Sequence, residues 1–150
     1  MYHFFVRLRL RELFRRLDAG DFEFVKRQFH PSAEHWFSGD HALAGRRTTP
    51  SAIAAWYGRL AAVFPGLRFE VHDMFVSGPP WRTRAAIEWS DEARDREGRA
   101  LPNRGMFLIH LAWGRATALH VYCDTSKLEK NLGILVSQGV SEAGAAPIVG

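Results

Sequence analysis

The chain has one cysteine, Cys123, in 150 residues. A lone thiol excludes an internal disulfide and any zinc site built from several cysteines. It also fits a reducing compartment, so a cytoplasmic location is expected. No stretch approaches the ~18 consecutive apolar residues of a membrane-spanning helix, and no membrane partner is expected. Arg7, Arg9, Arg11, Arg15 and Arg16 interrupt every apolar run near the start, which a secretory signal does not tolerate. There is no glycine-rich phosphate-cradling motif and no serine on a strand-to-helix elbow. Seven histidines are present without a His-x-x-x-His or Glu-x-x-His pair, so no metal and no other cofactor is expected. Internal repeats, interdomain linkers and low-complexity runs are absent.

What is abundant is aromatic surface: eleven Phe, five Trp and three Tyr make up 13% of the residues. Large rings fill a core, and they also line binding cavities. A chain of this length makes one domain and buries about two-thirds of its unfolded surface, enough to tolerate an internal hollow. The formal charge of +4 is accounted for by the first 17 residues, where five arginines face Glu12 alone. Their pattern reads as a surface helix with solvated arginines and with Phe5, Leu8, Leu13 and Leu17 docked on the core. No basic patch interleaved with aromatics recurs, so a nucleic-acid partner is not expected.

The period of the apolar residues outlines an α+β unit. A helix is expected from Phe4 to Leu17, capped at Gly20, and a second from Asp21 to just before Pro31. Ser32–Phe37 and His41–Gly45 read as short strands around a Ser38-Gly39-Asp40 turn. Thr48 or Thr49 caps a third helix, opened by Pro50 and stopped at Pro65-Gly66. The period then becomes two. Leu67, Phe69 and Val71 alternate with polar residues, and the parity slips at Met74 and Val76, as at a bulge. Trp81 to Asp91 follows as a strand, Glu92 to Arg99 as a charged loop, and Ser126 to Ser137 as a last helix. The domain spans residues 1–138, and a small, glycine-rich tail, 139–150, wraps an edge or frays.

The most informative stretch is Arg104 to Asp124, two long strands and a tight turn. In its second strand Ala118, His120, Tyr122 and Asp124 share one face, opposite Thr117, Leu119, Val121 and Cys123. A face that starts apolar and ends in titratable groups suits a pocket floor. The turn decides whether His110 joins it. A three-residue loop, Trp113-Gly114-Arg115, sets His110 beside His120, Tyr122 and Asp124. A two-residue loop, Trp113-Gly114, turns it toward Leu119 and Val121. The first register is adopted because it gathers polar groups.

Several motifs in fixed order carry a resemblance: LDAGDFEFVKRQFHPSAEHW, Gly45-Arg46 ahead of Ala52-Ile53, Phe64-Pro65-Gly66-Leu67, and Tyr122-Cys123-Asp124-Thr125. Together they resemble the nuclear transport factor 2-like superfamily, in particular its SnoaL-like branch. The resemblance implies a curved antiparallel sheet wrapped around N-terminal helices as an open cone, a pocket at the wide end, and a homodimer through the sheet. Members of that superfamily include polyketide cyclases, ketosteroid isomerases, epoxide hydrolases, dehydratases and silent binders, so the fold implies no single reaction.

In similar cyclases an acid on the last strand abstracts a proton beside a carbonyl, which implies Asp124 as general base. A carboxylate does this when burial raises its pKa; Asp124 is equally placed to cap the last helix. His110 is the second catalytic candidate, to orient a substrate oxygen or shuttle a proton. Trp36, Tyr57, Trp89, Asn103, His120 and Tyr122 are the expected substrate-binding lining, with Trp56 beside Tyr57. Asp40 reads as a turn residue. The isomerases' second acid would fall near Gly105 or Met106, and neither side chain donates a hydrogen bond. Asp91, Arg94 and Asp95 fall in the charged loop, so the epoxide-hydrolase constellation is not matched. Two functions remain open: a cofactor-independent lyase, isomerase or cyclase acting on a small hydrophobic carbonyl compound, and a module that only holds a small hydrophobic ligand.

Overall fold

A short polar stretch separates each apolar run from the next, and the chain folds accordingly. The computed structural model describes residues 1–150. Its elements are α1 (Tyr2–Asp18), α2 (Phe22–Arg27), β1 (Phe29–Phe37), β2 (Gly45–Arg47), α3 (Pro50–Val63), β3 (Arg68–Ser77), β4 (Thr83–Arg94), β5 (Ala100–Ala112), β6 (Arg115–Cys123), α4 (Thr125–Ser137) and a closing 3-10 turn, Ser141–Gly144. The strands form one open, curved six-stranded sheet in the order β2-β1-β6-β5-β4-β3, antiparallel throughout except for β1 beside β6. The expected α+β architecture, with its N-terminal helices against one face of a curved sheet, is the one observed. No helix is long and apolar enough to cross a membrane.

Three of the four α-helices start on a side-chain cap. The Asp21 carboxylate accepts from Phe24 N, and Thr49 Oγ1 from Ala52 N with Pro50 in the first turn. α1 buries Val6, Leu10, Phe14 and Leu17. Phe5 and Leu8, expected on the docked face, are exposed. Both stripes satisfy a 3.6-residue period, and packing of Phe14 on Phe69 and Phe107 selects the first.

Several boundaries differ from the sequence reading. α2 ends at Arg27, and Phe29 already belongs to β1; Pro31 holds His30 extended, and that bias reaches back along the strand. Residues 41–44 are a buried turn rather than a strand, and β2 starts only at Gly45. The His41 ring nitrogen Nδ1 accepts from Leu43 N, and Ala44 N donates to His41 O. β4 starts at Thr83, since Arg82 N closes a turn on Pro79 O and leaves Trp81 outside. At its other end β4 runs on to Arg94, because Asp91, Glu92, Ala93 and Arg94 pair with Asn103, Pro102, Leu101 and Ala100. Only 95–99 turn, around an Asp95 carboxylate that accepts from Glu97 N and Arg99 N.

The slip foreseen in β3 is a bulge between Val71 and Asp73. The 112–115 hairpin has the two-residue loop, not the three-residue one: Ala112 pairs with Arg115, and Trp113 (φ 52°) and Gly114 (φ 80°) are both left-handed, the geometry that suits twisted strands. A second irregularity then restores parity. Leu111 pairs with Ala116 and His110 with Ala118, so Thr117 is the extra residue of a bulge. His110 thus shares a face with His120 and Tyr122, as expected, for a different reason.

The tail lies along the sheet edge. Thr48 N donates to Gly150 O, and the Arg47 guanidinium donates to Ile148 O.

Candidate functional site

A cavity of about 500 Å³ lies between the inner face of the sheet and α1, α2 and α3. That is the size range of small-molecule sites. Of its 36 lining residues, 28 are hydrophobic. Parity explains the lining. In β4 the residues Ala85, Ile87, Trp89 and Ala93 are buried inward, and in β5 so are Leu101, Asn103, Phe107 and Ile109. Asp91 falls in the same parity, two residues beyond Trp89, and its side chain lines the cavity.

Asp91 stands opposite Asn103 in the β4–β5 ladder. Burial among apolar walls pushes its carboxyl up from 3.8 to about 7, against a smaller downward pull from the Asn103 backbone N–H. Cys123 lies close by on β6. Burial first, and the charge of Asp91 second, push its thiol up to about 12, so it stays protonated and unreactive. Asn103 is held in place: its Nδ2 donates to the Asp124 carbonyl (3.3 Å) and its Oδ1 accepts from Arg104 N (2.8 Å). Trp89 packs edge-on against Phe69, at 5.2 Å between centroids. Its ring lies over Gly105, where a Cβ would come within 2.8 Å of the indole carbons and 2.2 Å of Tyr122 O. Only glycine lets the indole lie so low. The Trp89 Nε1–H is buried without a hydrogen-bond partner. Glu12, the other carboxylate of the lining, is chelated by Arg15 and Arg16 and held down to about 2 by those hydrogen bonds.

The sequence-predicted residues divide between the two faces of the sheet. Tyr57, Trp89 and Asn103 line the cavity. Trp56 lines it too, with its Nε1 donating to Leu43 O at 2.8 Å. Trp36, His110, His120 and Tyr122 do not. They cluster on the outer face, with Trp36 5.6 Å from His120 and 5.1 Å from Tyr122, and His110 5.8 Å from His120. There His120 Nε2 lies 2.9 Å from Glu34, which also pairs with Arg46. The inversion has a simple cause. Leu119, Val121 and Cys123, the apolar alternates of β6, face the helices, and apolar surface wins the buried side.

Asp124 is exposed at the end of β6 and caps α4, its Oδ1 accepting from Lys127 N at 3.1 Å. It is not part of the cavity. Asp124→Ala is therefore expected to cost about 1 kcal/mol of stability through the lost cap and to leave ligand binding in the cavity unchanged, as measured by chemical denaturation and calorimetric titration.

Asp91 is the residue the sequence reading missed. The signal was present: Thr83, Ala85, Ile87 and Trp89 set an inward parity that Asp91 and Ala93 continue. A carboxylate on the apolar parity of a strand is turned inward, and Asp91 is half-buried there.

The SnoaL-like domain family matches residues 10–119. No curated protein matches the chain. Among solved structures, an NTF2-like protein of unknown function from Burkholderia pseudomallei is 15% identical over 81% of this chain and 92% of its own, with a TM-score of 0.71. TerC, co-crystallized with polyporic acid, is 17% identical over 79% of this chain and 90% of its own, TM-score 0.68. A Sinorhizobium meliloti protein named as a polyketide cyclase is 17% identical over 73% of this chain and 88% of its own, TM-score 0.58. Other neighbours are named as an isomerase from Bacillus subtilis and a hydroxylase from Streptomyces galilaeus. At these identities the likeness is one of fold.

Proposed function

Because the chain belongs to the SnoaL-like domain family, we propose that it is a cofactor-independent acid–base enzyme that moves a proton beside the carbonyl of a small hydrophobic compound, as a lyase, isomerase or cyclase does. The observation that carries this reading is Asp91, a carboxyl set in a mostly apolar hollow of ligand size. With its pKa near 7 it is a mixture of base and acid at neutrality, which suits it to accept a proton and return it. The base is thus Asp91 rather than Asp124 or His110.

Abstraction of the α-proton forms an O–H bond on Asp91 and leaves the electron pair on the carbonyl oxygen as an enolate. Trp89 sits two residues away on the same face, roughly 7 Å along the strand, and its unpartnered Nε1–H can donate to that oxyanion. The distance suits one ketone group bridging donor and base. Return of the proton from Asp91 to another carbon completes an isomerisation, and collapse of the enolate with loss of a leaving group completes a lyase reaction. The apolar walls keep water from competing for the enolate.

The test uses 4-phenylcyclohexanone in D2O, following loss of the α-proton signals by NMR. Wild-type protein accelerates exchange over buffer, and Trp89→Phe lowers kcat by about 10²-fold with little change in KM. Binding with exchange no faster than buffer removes the catalytic reading and leaves the alternative, a module that holds a ligand.

We also propose a homodimer through the outer sheet face, where Tyr122 is 46% and Met106 39% exposed beside Trp36. Tyr122→Arg would set like charges against each other across a two-fold axis. It is expected to shift the protein from dimer to monomer in sedimentation at micromolar concentration, with the fold unchanged by circular dichroism.

A further inference from the structure

At the end of the cavity away from Asp91, His35 is 0% exposed and lines the wall together with Tyr57. Its Nδ1 lies 3.2 Å from Arg47 Nε. A guanidinium nitrogen only donates, so Nδ1 is the acceptor and carries no proton. The neutral ring must then hold its hydrogen on Nε2. Burial, aided by the Arg47 charge, drives the His35 pKa down to about 3, so the ring stays neutral over the whole physiological range. That Nε2–H is buried and has no partner. Its neighbours are rings, Trp56 at 4.4 Å, Tyr57 at 5.6 Å and Phe29 at 6.0 Å between centroids, and none of them accepts from it. Leaving such a donor unmet costs about 1–3 kcal/mol, yet the fold spends the four hydrogen bonds of a fully buried arginine around it to keep it there.

The register shows how far it stands from the base. His35 pairs with Leu119, which pairs with Ile109 on β5, whereas Asp91 pairs with Asn103. Six residues of β5 separate the two rows, roughly 20 Å along the strand. Both side chains reach inward across that span, so one molecule meeting both is several rings long.

We infer that His35 is a specificity-determining residue whose Nε2–H, fixed in that tautomer by Arg47, donates to a second oxygen of the substrate. The substrate class is then an elongated apolar ketone carrying an ether, hydroxyl or second carbonyl oxygen at its far end. This rests on the cavity being the substrate site.

The experiment compares 4-(biphenyl-4-yl)cyclohexanone with its derivative bearing a methoxy group at the far para position, which adds one oxygen acceptor at the distal end of a rigid three-ring molecule. Calorimetric titration of the wild-type protein is expected to show about tenfold tighter binding of the methoxy compound. His35→Phe, which keeps a ring and removes the donor, binds the two alike. His35→Gln, whose amide accepts from Arg47 and still donates, recovers the preference. A second readout needs no variant: in long-range proton–nitrogen spectra of wild type, the His35 Nε2 resonance shifts with the methoxy compound and not with the parent. Equal affinity for both compounds, or a preference kept by His35→Phe, overturns the inference while wild-type exchange of the α-protons leaves the acid–base reading intact. Binding of neither compound overturns both.

Discussion

Asp91→Asn is expected to lower α-proton exchange by about 10³-fold and, at the same time, to make the protein more stable at pH 8. The second effect follows from the direction in which burial moves the carboxyl. Asp91 titrates near 7 in the folded protein and near 3.8 unfolded. Between those values the folded state binds more protons than the unfolded one, so stability falls as pH rises from about 4 to about 7 and is flat beyond. At pH 8 the folded protein carries a poorly solvated charge that the asparagine variant lacks. The variant should gain a few kcal/mol there, tapering to nothing near pH 4, at about 1.4 kcal/mol for each tenfold change in proton affinity and less where water reaches the group. Denaturation at pH 4, 6 and 8 reads this directly. A carboxylate kept for structure would behave oppositely, because losing it would destabilise the fold at every pH above its folded value. The wild-type rate should rise with pH through an apparent pKa near 7.

Burial of a titratable group among charged chain neighbours is why the site was only partly legible in the sequence. The fold was readable because periodicity reports burial, and β3 to β6 alternate over long runs. The bulge in β3 was visible as a parity slip. In β6 the two parities are equally well formed, one apolar and one ionisable, and it is the ionisable one that reads as a pocket floor. The sheet instead buries Leu119, Val121 and Cys123 and leaves His120 and Tyr122 on the outer face. Pattern alone identifies two faces; it identifies the inner one only when apolar area decides. Asp91 was hidden by its neighbours, since Glu92, Arg94 and Asp95 make the segment look like a loop, although the charged alternates of an antiparallel strand face solvent. His35 could not be found at all. Its role depends on Arg47, twelve residues away, and on a partner missing from Nε2, and neither fact leaves a mark on local sequence.

Arg47→Met is expected to be the most destabilising change, by about 4 kcal/mol. The guanidinium is fully buried without a carboxylate partner. It donates instead to Ala44 O at 3.0 Å, Gly45 O at 2.9 Å, Ile148 O at 2.5 Å and His35 Nδ1 at 3.2 Å. Burial lowers its pKa to about 10, which still leaves it charged at neutrality. Methionine fills much of the same space and removes every donor, leaving the buried Ala44 carbonyl and His35 Nδ1 unmet and the half-buried Gly45 and Ile148 carbonyls without this partner. The midpoint of urea denaturation should fall with the slope unchanged. Amide exchange at Thr48 and Gly150 should accelerate, because the tail loses its anchor beside β2. Arg47→Lys separates charge from geometry: an ammonium keeps the charge but cannot fork between Nδ1 and carbonyls on two sides, so it should recover less than half of the loss. The same variant frees the His35 tautomer, and with Nδ1 no longer obliged to accept, the preference for a far-end oxygen should weaken even in molecules that remain folded. Full recovery by lysine would mean that the cation alone holds this corner of the sheet, and that the ring's orientation and tautomer are set by something other than the fork.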